Sequence, residues 1–125
     1  MDRIIDPLTQ FGANFVAREK SLLPICILGA NDPVGIDFTG KVASAQVKSA
    51  ILIAGLNAIG ETQYIESVHT RDHTERMLST FGAEVEISQL TGSKCINIKG
   101  LAQLGPQEIS IPGDPSSAAF PMCAA

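Results

Sequence analysis

Apolar and polar positions along this chain fall into helix-like and strand-like runs that alternate. Ser44 to Leu56 (SAQVKSAILIAGL) is rich in Ala, Leu and Ile and carries Gly55 near its end, which predicts a helix. A turn through Asn57 and Gly60 precedes a predicted strand over Glu61 to Ile65. A second helix is predicted to open at Asp72. There Asp72-His73-Thr74-Glu75 has the spacing of a capping box, with Asp72 accepting backbone N–H bonds and Glu75 reaching back. Gly82 is expected to end this helix in a left-handed C-cap, as Gly12 ends a helix at the start of the chain.

These runs repeat. RIIDPLTQFGA (3–13) and RMLSTFGA (76–83) place the triplets Phe11-Gly12-Ala13 and Phe81-Gly82-Ala83 70 residues apart. A β-like segment follows each, Ala13 to Val16 and Ala83 to Ile87. Second strands are expected over Ile25 to Gly29 and Cys95 to Gly100, and third strands at Ile36-Asp37-Phe38 and Ile109-Ser110-Ile111. Each copy closes on a Ser/Ala-rich helix start, Ala43-Ser44-Ala45-Gln46 and Pro115-Ser116-Ser117-Ala118. A period this long exceeds that of a solenoid unit and fits a duplicated α/β supersecondary unit of helix, three strands and helix. Alternating helices and strands give the class α/β, with helices and mixed sheet packed around common axes. Neither GxGxxG nor a Walker A sequence is present, so a doubly wound dinucleotide fold is not expected.

Composition narrows the function. Hydrophobic residues make up 45 % and charged residues 18 % of the 125, enough apolar surface for a core. Nine Lys+Arg against thirteen Asp+Glu give a net charge of −4, which argues against a general nucleic-acid binder. It leaves room for a local cationic pocket, for which Lys41, Lys48 and Arg71 are the candidates. No apolar run reaches a membrane-spanning length, and MDRIIDPLTQ is unlike a signal peptide, so a cytoplasmic location is expected. Cys26, Cys95 and Cys123 match no metal spacing and read as buried free thiols. His69 and His73 are four apart, but the helix is expected to begin after His69, and no metal site is predicted.

Three segments carry candidate chemistry. In Lys41 to Lys48 (KVASAQVK), Ser44 and Gln46 fall in the first turn of a helix. Unpaired N–H groups and the positive end of the macrodipole suit a phosphate or carboxylate there. Ser44 is equally a good N-cap for a helix that needs one. In Thr70 to Glu75 (TRDHTE), Arg71 precedes a helix N-terminus where its guanidinium would meet an anion; the alternative is a surface arginine beside a cap. In Pro112 to Ser117 (PGDPSS), Asp114 caps a helix whose first residue is Pro115, and Ser116 and Ser117 add hydroxyls. A well-capped helix explains those residues too. No nucleophilic triad is readable.

With these three motifs in this order, and with MDRIIDPLTQFGANFVAR and LPICILG at the start, the whole chain resembles the 5-enolpyruvylshikimate-3-phosphate synthase family. The related UDP-N-acetylglucosamine enolpyruvyl transferases share the repeat architecture but differ at SAQVKSA and TRDHTE. Ala45 in the SAQ motif is similar to the subgroup of synthases known for glyphosate tolerance. The resemblance implies repeated βαβαββ units of the enolpyruvate transferase (inside-out α/β barrel) type. It implies transfer of the enolpyruvyl group of phosphoenolpyruvate to the 5-hydroxyl of shikimate 3-phosphate, with release of phosphate and with no cofactor or metal. The substrates are then the partners, with no nucleic acid and no membrane, and the full-length parent is expected to be monomeric. Ser44, Ala45, Gln46 and Arg71 are implied to bind shikimate 3-phosphate, Gln46 also lies near phosphoenolpyruvate, and Asp114 matches a motif near the crossover between two domains. The catalytic acid and base are implied to lie outside this chain. Residues 1–125 are accordingly expected to be a partial first domain of about two units, unit A about 1–70 and unit B about 71–125, and inactive alone. The alternatives are a non-catalytic binding or interaction module that kept the fold, the related UDP-N-acetylglucosamine enolpyruvyl transferase, and a degenerate fragment that does not fold.

Overall fold

The computed structural model describes residues 1–19 and 21–124. Ten elements follow in order: α1 (Asp2–Gln10), β1 (Asn14–Arg18), β2 (Leu22–Leu28), β3 (Asp37–Gly40), α2 (Ala45–Gly55), β4 (Glu61–Glu66), α3 (His73–Thr80), β5 (Val85–Leu90), β6 (Ser93–Lys99) and α4 (Pro115–Ala124).

The two FGA triplets stop two helices in the same way. Gly12 and Gly82 have φ of +95° and +99°, a region open to residues without a Cβ. Their N–H groups donate back to Thr9 and Ser79, and the next residues, Ala13 and Ala83, donate to Leu8 and Leu78. Each turn satisfies carbonyls at a helix end and aims the chain into a strand.

Strands β1 and β2 form an antiparallel ribbon. The second sheet has the order β3-β4-β6-β5, with β3 parallel to β4 and the other neighbours antiparallel. From Asp37 to Lys99 the elements therefore run β, α, β, α, β, β. This sheet takes β3 and β4 from before residue 70 and β5 and β6 from after it.

On β4, Thr62, Tyr64 and Glu66 alternate inward, opposite Ile98, Ile96 and Lys94 of β6. Helix α2 covers that face with Val47, Lys48, Ile51, Leu52 and Gly55, one stripe of a 3.6-residue period. Gly55 lets the helix sit close: a Cβ there would lie 2.9 Å from the Thr62 side chain and 3.0 Å from Ile98 Cγ2. Phe11, Ala58, Leu78 and Ala83 complete the core.

Three expectations fail. Ile109-Ser110-Ile111 forms no strand, and Ile111 is 84 % exposed; the first-unit counterpart β3 exists by pairing with β4, whereas no described strand pairs with 109–111. Only Cys95 is a buried thiol. Cys26 sits on the β1–β2 ribbon, where nearly every β2 side chain is exposed, and Cys123 on α4, which buries no residue. The capping box is absent: Asp72 holds the N-cap position of α3 without a side-chain cap bond, its carboxylate turned to Arg76 Nε at 2.9 Å, and Glu75 points into the interior.

Candidate active-site rim at two helix N-termini

Parallel pairing of β3 and β4 decides where the candidate residues fall. Each strand is followed by a helix, so α2 and α3 both begin beyond the C-terminal ends of neighbouring parallel strands. This is the edge at which open α/β sheets place their ligands. Ser44, the N-cap of α2, has extended backbone (φ −148°, ψ 107°), and its hydroxyl accepts a long 3.4 Å bond from the Val47 N–H. Ala45 and Gln46 occupy the next two positions, whose N–H groups have no acceptor within the helix by its own geometry. The Gln46 side chain is exposed.

The two helix starts are tied to each other. Ser49 Oγ and Thr74 Oγ1 are 2.6 Å apart, and Lys48 Nζ lies 2.8 Å from Glu75 Oε1. Ser49 and Lys48 lie one turn into α2, and Thr74 and Glu75 in the first turn of α3. Ser44, Ala45 and Gln46 therefore share one end of the helical layer with Arg71, which is exposed one residue before the α3 N-cap.

Two cavities open beside this edge. The larger, about 670 Å³, lies between α1 and the β3–α2 connection and is lined by Arg3, Asp6, Asp37, Thr39, Lys41 and Val42 among others. The smaller, about 180 Å³, is lined by Thr39 to Ala43 on one side and by Tyr64 and Glu66 to Val68 on the other. Gly40 admits the Tyr64 hydroxyl, which would collide with any Cβ there. Phe38 and Tyr64 stack with ring centroids 6.2 Å apart. Ser44, Ala45, Gln46 and Arg71 line neither cavity.

The proposed cationic pocket needs correction at Lys48. This lysine is fully buried, with Nζ between Glu66 Oε1 at 3.2 Å and Glu75 Oε1 at 2.8 Å, so its charge is spent inside the protein. Lys94, 12 % exposed, adds a 3.3 Å contact to Glu75. Lys41 and Arg71 remain as exposed cations. The reason is positional: Lys48 falls on the inward stripe of α2, where an unpaired ammonium would be intolerable. Sequence reasoning gives Glu66 no role, and Glu75, expected in a capping box, is instead buried on Lys48. The signal was available, because Glu66 continues the inward alternation of Thr62 and Tyr64, and Lys48 the stripe of Leu52 and Gly55.

Electrostatics follow from this cluster. Burial pushes the Glu66 carboxyl up, but hydrogen bonds from the Thr70 hydroxyl, Lys48 and the Thr70 backbone outweigh it and hold the group below the usual carboxylate range. Burial, with the Glu66 and Glu75 charges, raises the Tyr64 phenol above its ordinary value. Asp114 is also held low, by the Ser117 hydroxyl first and then the Ser116 and Ser117 N–H groups. Its Oδ1 accepts from Ser116 N at 2.9 Å, so it caps α4, the helix that buries nothing. Among the described residues no group of three or more His, Cys, Asp or Glu side chains is arranged to hold a metal. His69 lies outside α3, which begins at His73.

A sequence model of EPSP synthase (3-phosphoshikimate 1-carboxyvinyltransferase) matches residues 1–125. The chain belongs to the EPSP synthase family. Curated 3-phosphoshikimate 1-carboxyvinyltransferases agree: the protein of Parvibaculum lavamentivorans is 54 % identical over 126 residues and that of Ruegeria sp. 53 % over 125. Each comparison covers all of this chain and 28 % of the relative, so the chain spans little more than a quarter of their length. A solved EPSP synthase structure from Acinetobacter baumannii superposes with a TM-score of 0.80 at 46 % identity, over 96 % of this chain and 26 % of that one. The enolpyruvate transferase fold is thereby established for the chain.

Proposed function

We propose that this chain is part of an enzyme that transfers the enolpyruvyl group of phosphoenolpyruvate to the 5-hydroxyl of shikimate 3-phosphate, and that it supplies part of the shikimate 3-phosphate site. The 5-hydroxyl oxygen adds to the substituted carbon of the enol phosphate while a proton goes to the methylene. The resulting tetrahedral ketal phosphate loses phosphate and a methyl proton to give the enol ether. The groups that move these protons are assigned to the parent outside residues 1–125, and this chain acts by binding and orientation.

One observation supports the reading best. Two helix N-termini face the same sheet edge and are clamped by the 2.8 Å Lys48–Glu75 pair, one carrying Ser44, Ala45 and Gln46 and the other preceded by Arg71. Such an edge gathers a phosphate by free N–H groups, dipole and guanidinium. Ser44 gives a hydroxyl, Ala45 and Gln46 give N–H groups, Arg71 gives a bidentate fork, and the Gln46 amide extends toward phosphoenolpyruvate. Asp114 supports the crossover through its cap on α4. Residues 1–125 form part of the first of two domains, and we read the β, α, β, α, β, β run from Asp37 to Lys99 as one unit in place of the boundary near residue 70 expected from the repeat. The parent works as a monomer in the cytoplasm.

Isothermal titration of the parent enzyme tests the site. Gln46→Ala and Arg71→Ala are each expected to weaken shikimate 3-phosphate binding by about tenfold or more. Unchanged affinity in both would end the assignment. The isolated chain is expected to release no phosphate from the two substrates in a coupled assay.

A further inference from the structure

The buried cluster beneath the helix starts ties one of its carboxylates to the segment that carries Arg71. Glu66 ends β4 and is 2 % exposed, and all of its contacts converge on one oxygen. Oε1 accepts from Lys48 Nζ at 3.2 Å, from the Thr70 N–H at 3.0 Å and from the Thr70 hydroxyl, while Oε2 is buried with no hydrogen-bond partner among the described residues. Glu75 is arranged likewise, with Lys48 and Lys94 on Oε1 and no partner for Oε2 among the described residues; what sets Glu66 apart is that two of its three donors come from Thr70. Here the carboxylate is turned toward Thr70, the residue immediately before Arg71. Between them, Ser67, Val68 and His69 are exposed, so the segment leading to Arg71 is held at its end rather than along its length.

We propose that Glu66 is a positioning residue for Arg71: through Thr70 it fixes the β4–α3 connection to Lys48 of α2, and so sets the guanidinium against the α2 N-terminus. Lys48 is the common post. It holds Glu66 on one side and Glu75 of α3 on the other, so the two helix starts and the intervening segment share a single buried cation. Buried charges paired in this way contribute little net stability against an apolar alternative, and their best-attested use is to fix geometry. Moving Arg71 by an ångström would cost much of its contact with a bound anion. This inference rests on the proposed role of Arg71 in binding shikimate 3-phosphate.

The test uses the parent enzyme with phosphate release as readout. Thr70→Val keeps the side-chain shape and the backbone bond but removes the hydroxyl donor. It is expected to raise KM for shikimate 3-phosphate about tenfold with kcat within about twofold, and Thr70→Ser is expected to restore the KM. Thermal melting of Thr70→Ser should stay close to that of the unaltered enzyme, and Thr70→Val should melt somewhat lower, since a buried carboxylate loses one donor. Glu66→Gln should raise KM in the same direction. In an Arg71→Ala background, Thr70→Val should have no further effect on KM, because its action runs through Arg71. An unchanged KM in Thr70→Val, alongside a raised KM in Arg71→Ala, overturns the positioning role and leaves the site assignment standing. An equal further rise in the Arg71→Ala background overturns it as well. If Arg71→Ala itself leaves KM unchanged, the site assignment fails and the positioning role fails with it.

Discussion

Replacing Lys48 by Met isolates the buried charge from the packing. The two side chains have similar length and volume, so the helical stripe of α2 stays filled, and what disappears is one cation between two carboxylates of 2 % and 1 % exposure. Glu66 then keeps only Thr70, and Glu75 keeps only Lys94 at 3.3 Å. Removing one partner of a buried pair destabilises by about 3–5 kcal/mol, because the remaining charge is left uncompensated. The surviving contacts to Thr70 and Lys94 favour the lower end of that range. With an unfolding entropy of about 2.1 cal/mol/K per residue, 3 kcal/mol over 125 residues corresponds to a fall in Tm of roughly 11 °C. Guanidinium denaturation followed by circular dichroism gives the free-energy change directly, and an unchanged m-value would show that the difference lies in stability. The triple variant Lys48→Met, Glu66→Gln, Glu75→Gln removes the stranded charges and should recover most of the loss. A destabilisation below about 1 kcal/mol for Lys48→Met, or no recovery in the triple variant, would refute the view that these carboxylates are buried and dependent on Lys48.

Acid should act through the same cluster. The Glu66 carboxyl in the folded protein lies below its ordinary value of 4.5, so its contribution is complete above that value and is lost as pH falls through the lower folded value. Denaturation midpoints measured from neutral to about pH 3 should decline below roughly 4.5, and Glu66→Gln should flatten that decline; an identical profile in the variant would count against it. Gly55→Ala places a methyl 2.9 Å from Thr62 and 3.0 Å from Ile98, and should destabilise by about 1–3 kcal/mol despite the better helix propensity of alanine, as read from urea midpoints. Gly12→Ala and Gly82→Ala each force a left-handed φ on a residue with a Cβ, at about 1–2 kcal/mol. The loss should be larger at Gly12, where Ala30 Cβ is 3.0 Å from the new methyl, than at Gly82, where the nearest atom is 3.8 Å away; equal losses would mean that backbone strain alone decides.

What the sequence disclosed and what it concealed divide along the range of the interaction responsible. The α1 and α3 stops were readable because a Gly with positive φ acts on its own turn, and the same FGA triplet does it twice. The position of Ser44 at the start of α2 was readable for the same local reason. Asp72 and Glu75 had the spacing of a capping box, yet each found a different partner: Arg76 one turn on, and Lys48 across the helix interface. At Glu75 the local motif lost to a tertiary one, because a buried ammonium needs carboxylates more than a helix end open to water needs a second cap, whereas Asp72 was drawn off by Arg76 on its own helix. The third strand of the second repeat fails on the same principle, since residues 109–111 have the composition of a strand but no neighbour among the described residues to pair with. The same distinction separates Lys48 from the site cations. Counted by charge it adds to Lys41 and Arg71; placed on the stripe of Leu52 and Gly55 it points the other way. The anion site proposed at this edge therefore draws its positive character from helix ends and from Arg71, while the lysine that the sequence set beside them holds those helix ends in place from beneath.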